Sequence, residues 1–164
     1  MDVTQDALEA LAARLGEALM ARGWLLAAAE SCTGGWAAQA ITAIPGSSTW
    51  FDRGFVTYSN AAKQELLGVS TATLATHGAV SEPTVREMAL GALAHSQAQA
   101  AFAISGIAGP GGGTPEKPVG TVCFAWALRG GAVETTTSRF DGDRRSIRAQ
   151  SVAHALQGML ERLQ

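Results

Sequence analysis

One segment of the chain has residue types and an order that suit nucleophilic catalysis. It reads Glu30-Ser31-Cys32-Thr33-Gly34-Gly35 and follows the apolar run Leu25-Leu26-Ala27-Ala28-Ala29 directly. The order is that of a strand, a tight turn and a helix start. It sets the Ser31 hydroxyl beside a helix N-terminus, where backbone N–H groups lack partners and the helix dipole favours negative charge. A serine so placed can attack a carbonyl beside an oxyanion hole built from the N–H groups of Thr33, Gly34 and Gly35. Ser and Thr also cap helices, so Ser31 and Thr33 have a second, purely structural reading. Cys32 reads either as a reactive thiol near a helix N-terminus or as a small buried residue.

A nucleophilic serine needs a base. The chain has ten arginines but two lysines, Lys63 and Lys117, and one tyrosine, Tyr58. Lysine can lose its proton when buried, whereas arginine in proteins cannot. In Tyr58-Ser59-Asn60-Ala61-Ala62-Lys63 the lysine falls on the first turn of an expected helix. The positive end of a helix dipole and partial burial both lower an amine's pKa. A neutral Lys63 can take the Ser31 proton and later deliver it to a leaving amine. The competing reading is a solvated lysine on an exposed helical face. His77, His95 and His154 are scattered over a turn and two helices and make a Ser-His-Asp triad a poor choice. The G-x-S-x-G elbow is absent, since positions 29 and 33 are Ala and Thr.

Two further groups stand near these residues in the expected fold. Gly106–Pro118 carries five glycines and three prolines and reads as a loop. It lacks the Gly-Lys-Ser/Thr of a phosphate-binding P-loop, and a strand rather than a helix follows it. Its N–H groups form either an anion-binding nest, with Gly111 and Gly112 approaching a substrate, or an ordinary connection. Ser105, at the end of the strand before it, is placed to position an oxygen in the same crevice. Arg144, Arg145 and Arg148 stand at a helix start, either to hold a phosphate or carboxylate or to face solvent or a subunit contact.

The elements that must position these residues follow from periodicity. Leu8, Leu11, Leu15 and Leu19 predict a helix over about 4–22, closed by Gly23. Strands are expected at about 24–29, 51–57, 100–105, 121–128 and 133–139, the last two joined as a hairpin by Gly130-Gly131. Further helices are expected at about 33–43, 60–67, 72–76, 81–96 and 144–162. Early alternation of helix and strand, then a hairpin, predicts an α/β fold. The expectation is a single domain over residues 1–164, with a mixed, mostly parallel sheet of about five strands, helices on both faces and a late antiparallel hairpin. The segments Glu30–Gly35, Tyr58–Lys63 and Ser105–Lys117 all follow strands, and strand ends in such sheets converge on one crevice.

Composition narrows the function classes. With 47% hydrophobic and 16% charged residues, the 164-residue chain reads as a compact globule. A net charge of −2 without any Lys/Arg run leaves no electrostatic footprint for nucleic acid or a membrane surface. No apolar stretch approaches the roughly 20 residues that span a bilayer. The acidic start Met1-Asp2-Val3-Thr4-Gln5-Asp6 has no signal-peptide pattern, so the cytoplasm is the expected location. Cys32, Cys123 and the three histidines show no metal-ligand spacing, and neither metal nor cofactor is expected.

Together these segments resemble the CinA C-terminal domain family of nicotinamide-nucleotide amidohydrolases. The resemblance spans nearly the whole chain. It is carried by Ala29–Gly35, by Tyr58-Ser59-Asn60 with Lys63 and Leu67-Gly68-Val69, and by Gly78-Ala79-Val80-Ser81. Ser105–Gly112 with Lys117-Pro118-Val119-Gly120, and Phe140 with Gly142-Asp143-Arg144, complete it. The resemblance implies hydrolysis of the carboxamide of nicotinamide mononucleotide to nicotinate mononucleotide and ammonia, without metal. It makes Ser31 the nucleophile and Lys63 the base, with Tyr58 orienting Lys63 or the substrate. Ser105 stands where the family commonly has threonine. A homo-oligomer is the implied assembly. The alternative is a catalytically silent binding or regulatory module linked to competence or DNA-damage processes.

Overall fold

The computed structural model describes residues 2–164. Helix α1 (Gln5–Arg22) is capped by the Thr4 side chain and closed by Gly23 in the left-handed region. There follow β1 (Leu26–Glu30), α2 (Trp36–Thr42), β2 (Phe51–Val56), α3 (Asn60–Leu67), α4 (Thr71–His77) and α5 (Glu82–Ala94). The chain then runs through β3 (Ala100–Gly106), β4 (Thr121–Leu128), β5 (Val133–Arg139) and α6 (Arg144–Arg162). The expected elements are all present. The largest boundary difference is at α2, which begins at Trp36 and not near 33. Gly34 and Gly35 adopt φ of 58° and 97°, a conformation that other residues rarely take, so the chain turns twice before it can coil.

The five strands form one sheet in the order β2-β1-β3-β4-β5. β1 is parallel to β2 and β3, and β4 is antiparallel to β3 and β5. Four of the five strands therefore point the same way. β1 lies at the switch point, with the chain leaving to β2 on one side and returning to β3 on the other, where α/β folds place their crevice.

Side-chain alternation splits the core into two layers. Leu26, Phe102, Ile104, Val122 and Phe124 face α1, α2 and α6. Ala27, Ala29, Ala101, Ala103, Ala125 and Ala127 face α5 and the end of α3. The alanine face has no bulk of its own, so α5 must sit close to fill the space. Gly91 of α5 is pressed so tightly on the end of α3 that a Cβ there would overlap the Leu67 carbonyl. This tight layer fixes α3, and with it Lys63, against the strand ends.

Candidate active site

Three strand ends build the site. β1 ends at Glu30 and delivers Ser31, whose N–H donates to the Ile104 carbonyl of β3 at 3.0 Å. The Thr57 N–H donates to the Glu30 carbonyl at 2.8 Å, which ties the end of β2 to the same spot. Ser59 caps α3 by accepting from the Ala62 N–H at 3.0 Å. The first turn of α3 then turns Lys63 inward. Its Nζ lies 3.0 Å from Ser31 Oγ and donates to the Thr57 carbonyl at 2.8 Å.

Lys63 is 1% exposed, so the reading of a solvated surface lysine is overturned. Among the described residues the ion pairs are Arg53–Asp52 and Arg162–Glu134, and neither offers Lys63 a carboxylate. Burial disfavours the charged ammonium and lowers the Lys63 pKa, against a smaller opposing effect of Cys32. The Cys32 thiol is pushed up to about 11, chiefly by burial, which excludes a thiolate nucleophile at neutral pH.

The turn after Ser31 is braced from two sides. The buried carboxylate of Glu30 accepts from Thr33 Oγ1 at 2.6 Å, from the Ala37 N–H at 2.9 Å and from the Ala38 N–H at 3.0 Å. Gly35 has no side chain to cap α2, and Glu30 does so from inside the fold. On the other side Arg148 of α6 donates to the Cys32 and Thr33 carbonyls, both at 3.0 Å, and lies over the Trp36 ring. The Gly34 N–H is taken by the Ser31 carbonyl and the Trp36 N–H by the Thr33 carbonyl. The amides of Trp36, Ala37 and Ala38 thus face Glu30 and their own turn, and of the three N–H groups expected to form an oxyanion hole, that of Gly34 is engaged within the turn.

A cleft of about 200 Å³ opens onto this pair. Its walls hold Ser31, Tyr58, Lys63, Ser105 and Arg144 together, with Cys32, Asn60, Ala79, Val80, Gly106 and Ala108 between them. Ser105 is buried at its floor, and its hydroxyl makes no hydrogen bond to the described residues. Tyr58 is 63% exposed and accepts from Arg144 Nη2 at 3.1 Å, so its hydroxyl is held by Arg144 and not by Lys63. Arg144 Nη1 donates to the Gly109 carbonyl at 2.8 Å and joins the glycine loop to the Tyr58 wall.

Thr33, Gly34, Gly35, Gly111 and Gly112 lie outside the cleft lining. The glycine loop contributes through its start, at Gly106 and Ala108. Glu30 and the bracing role of Arg148 were missed in the sequence. Their signals are an acid at the end of an all-apolar strand and an arginine one helical turn beyond Arg144. A larger apolar cleft of about 360 Å³ lies between α1 and α6, but its lining holds no serine, cysteine or lysine. Among the described residues no three His, Cys, Asp or Glu side chains converge on a metal position, and no helix is long and apolar enough to cross a membrane.

The structure thus sets a buried serine–lysine pair at the strand ends of a five-stranded mixed sheet. Residues 8–163 match the CinA C-terminal domain, and the chain belongs to that family. It is 56% identical over 158 residues to the nicotinamide-nucleotide amidohydrolase PncC of Enterobacter agglomerans, covering 96% of each chain. It is 57% identical over 155 residues to the protein of the same name from Escherichia coli (strain K12), covering 94% of each. The crystal structure of the competence/damage inducible protein CihA from Agrobacterium tumefaciens superposes with a TM-score of 0.91 at 50% identity, over 95% of this chain and 94% of that one.

Proposed function

We propose that this protein is an amidohydrolase that converts nicotinamide mononucleotide to nicotinate mononucleotide and ammonia, as a step of pyridine nucleotide recycling in the cytoplasm. The observation that carries the chemistry is the 3.0 Å contact between Lys63 Nζ and Ser31 Oγ, with no ion pair to Lys63 among the described residues. The substrate is carried by the names of relatives at 56% and 57% identity over most of the chain.

Burial favours the neutral amine of Lys63, and its hydrogen bond to the Thr57 carbonyl aims the nitrogen lone pair at Ser31. Lys63 takes the Ser31 proton as Oγ attacks the amide carbon. The resulting ammonium then donates that proton to the departing NH2, which leaves as ammonia when the C–N bond breaks. Water attacks the acyl-enzyme ester, giving its proton to Lys63. Ser31 Oγ recovers the proton as the ester opens to the carboxylic acid. In this reading the Ser105 hydroxyl donates to the amide oxygen, and Tyr58 and Arg144 close the mouth of the cleft.

Purified protein is expected to release ammonia from nicotinamide mononucleotide, and Ser31→Ala to release none while retaining the wild-type circular dichroism spectrum. A folded Ser31→Ala protein with wild-type turnover would remove the serine from the reaction.

A further inference from the structure

The catalytic cleft, at about 200 Å³, is smaller than the roughly 300–1,000 Å³ of pockets that enclose a whole small ligand. A nucleotide with its amide at Ser31 must extend beyond it. A second cleft of about 340 Å³ stands next to it and shares the Val80 wall. The floors are neighbours as well: Ser105 of the first cleft pairs across the sheet with Cys123 of the second. Both residues lie on the α5 face by strand alternation.

The second cleft holds Lys117, the one lysine without a part in the proposed chemistry, together with Arg139. Lys117 Nζ donates to the His77 carbonyl at 2.8 Å, and Arg139 Nη2 donates to the Glu116 carbonyl at 3.2 Å. Neither cation belongs to an ion pair among the described residues, and each keeps further N–H groups. Glu82, on the same lining, has each carboxylate oxygen accepting a threonine hydroxyl, from Thr135 and Thr137, both at 2.7 Å. Arg144, the cation of the catalytic cleft, is already shared between Tyr58 and Gly109.

We propose that this second cleft binds the phosphate end of the substrate through Lys117 and Arg139, which fixes the amide end at Ser31. The assignment rests on the amidohydrolase reading above. Its function is to convert phosphate binding into amide placement.

Two measurements test it. The first compares nicotinamide mononucleotide with nicotinamide riboside, which lacks the phosphate. Lys117→Met and Arg139→Met are each expected to lower kcat/KM for the nucleotide about tenfold or more, in keeping with loss of a charge-assisted hydrogen bond. Their kcat/KM for the riboside is expected to stay at the wild-type value. Lys117→Arg, which keeps the charge and a donor for His77, is expected to retain most of the phosphate preference. Equal losses on both substrates, or an unchanged nucleotide kcat/KM in both methionine variants, would overturn the assignment. The second is titration calorimetry with inorganic phosphate, which does not depend on turnover. Binding to the wild type that disappears in both methionine variants supports the site, and equal binding by all three proteins removes it. If the wild type fails to turn over the nucleotide, the amidohydrolase reading falls, and the phosphate titration still decides the cleft.

Discussion

Lys63 carries the chemical argument because burial and position act on it in the same direction. It is fully enclosed, lacks a carboxylate partner and touches Ser31. Its lowered pKa sets a sign for the pH profile. In the proposed reaction the reactive form is the neutral amine, so kcat/KM is expected to rise with pH as Lys63 loses its proton. The rise must be centred below the value of about 10.4 for a free lysine. A pH–rate profile for ammonia release checks this, and a profile that falls across that range contradicts it. Cys32 sits beside Ser31 with its thiol held protonated, so Cys32→Ala is expected to keep kcat within about threefold. Turnover that vanishes in Cys32→Ala would return the cysteine to the mechanism.

The turn that presents Ser31 depends on a buried charge. Glu30 accepts three hydrogen bonds, and a glutamine in its place puts an NH2 group against an N–H donor. Glu30→Gln is expected to cost about 1–3 kcal/mol of stability and to lower kcat more than it raises KM, because the turn loses a fixed position. Denaturant unfolding together with steady-state kinetics measures both. The packing of α5 sets a second test. Gly91→Ala forces a methyl into the Leu67 backbone and is expected to cost about 1–3 kcal/mol, whereas an exposed helical Gly→Ala change stabilises.

These elements also show how far the sequence could be read. The strand ranges were legible because they depend on a local pattern, the alternation of apolar and polar residues between turn signals. The late start of α2 was not, since a Gly-Gly pair fits a helix start or a double turn equally well until φ is known. The inward turn of Lys63 was open for a similar reason. A first-turn position specifies a helix face, and only packing against α5 and the strand ends decides whether that face meets water or Ser31. The role of Glu30 was open because no local pattern says whether an acid at a strand end meets water or the first amides of the next helix.

At the scale of the molecule, the sheet brings three distant loops to one end and leaves two adjoining clefts there. The order of five strands was not encoded in any local pattern. It follows from right-handed crossovers and from burial of the alanine face, both of which act over the whole chain. Because the cleft at Ser31 holds only part of a nucleotide, a truncated substrate should suffer in turnover. Free nicotinamide is expected to be hydrolysed at least about a hundredfold less efficiently than the mononucleotide, since it forgoes the remote binding energy that places the amide. Equal kcat/KM for the two would reduce the second cleft to a surface feature.

The central claim is that Ser31 works because a neutral Lys63 serves as its base, and the substitution Lys63→Arg tests it most directly. Arginine preserves positive charge and hydrogen-bond donors but cannot supply a free lone pair. The measurement is kcat for ammonia release from nicotinamide mononucleotide by folded Lys63→Arg protein. The account predicts a fall of about 10²-fold or more, the usual contribution of a positioned base. A kcat near that of the wild type would contradict it and leave Ser31 without an activator in this structure.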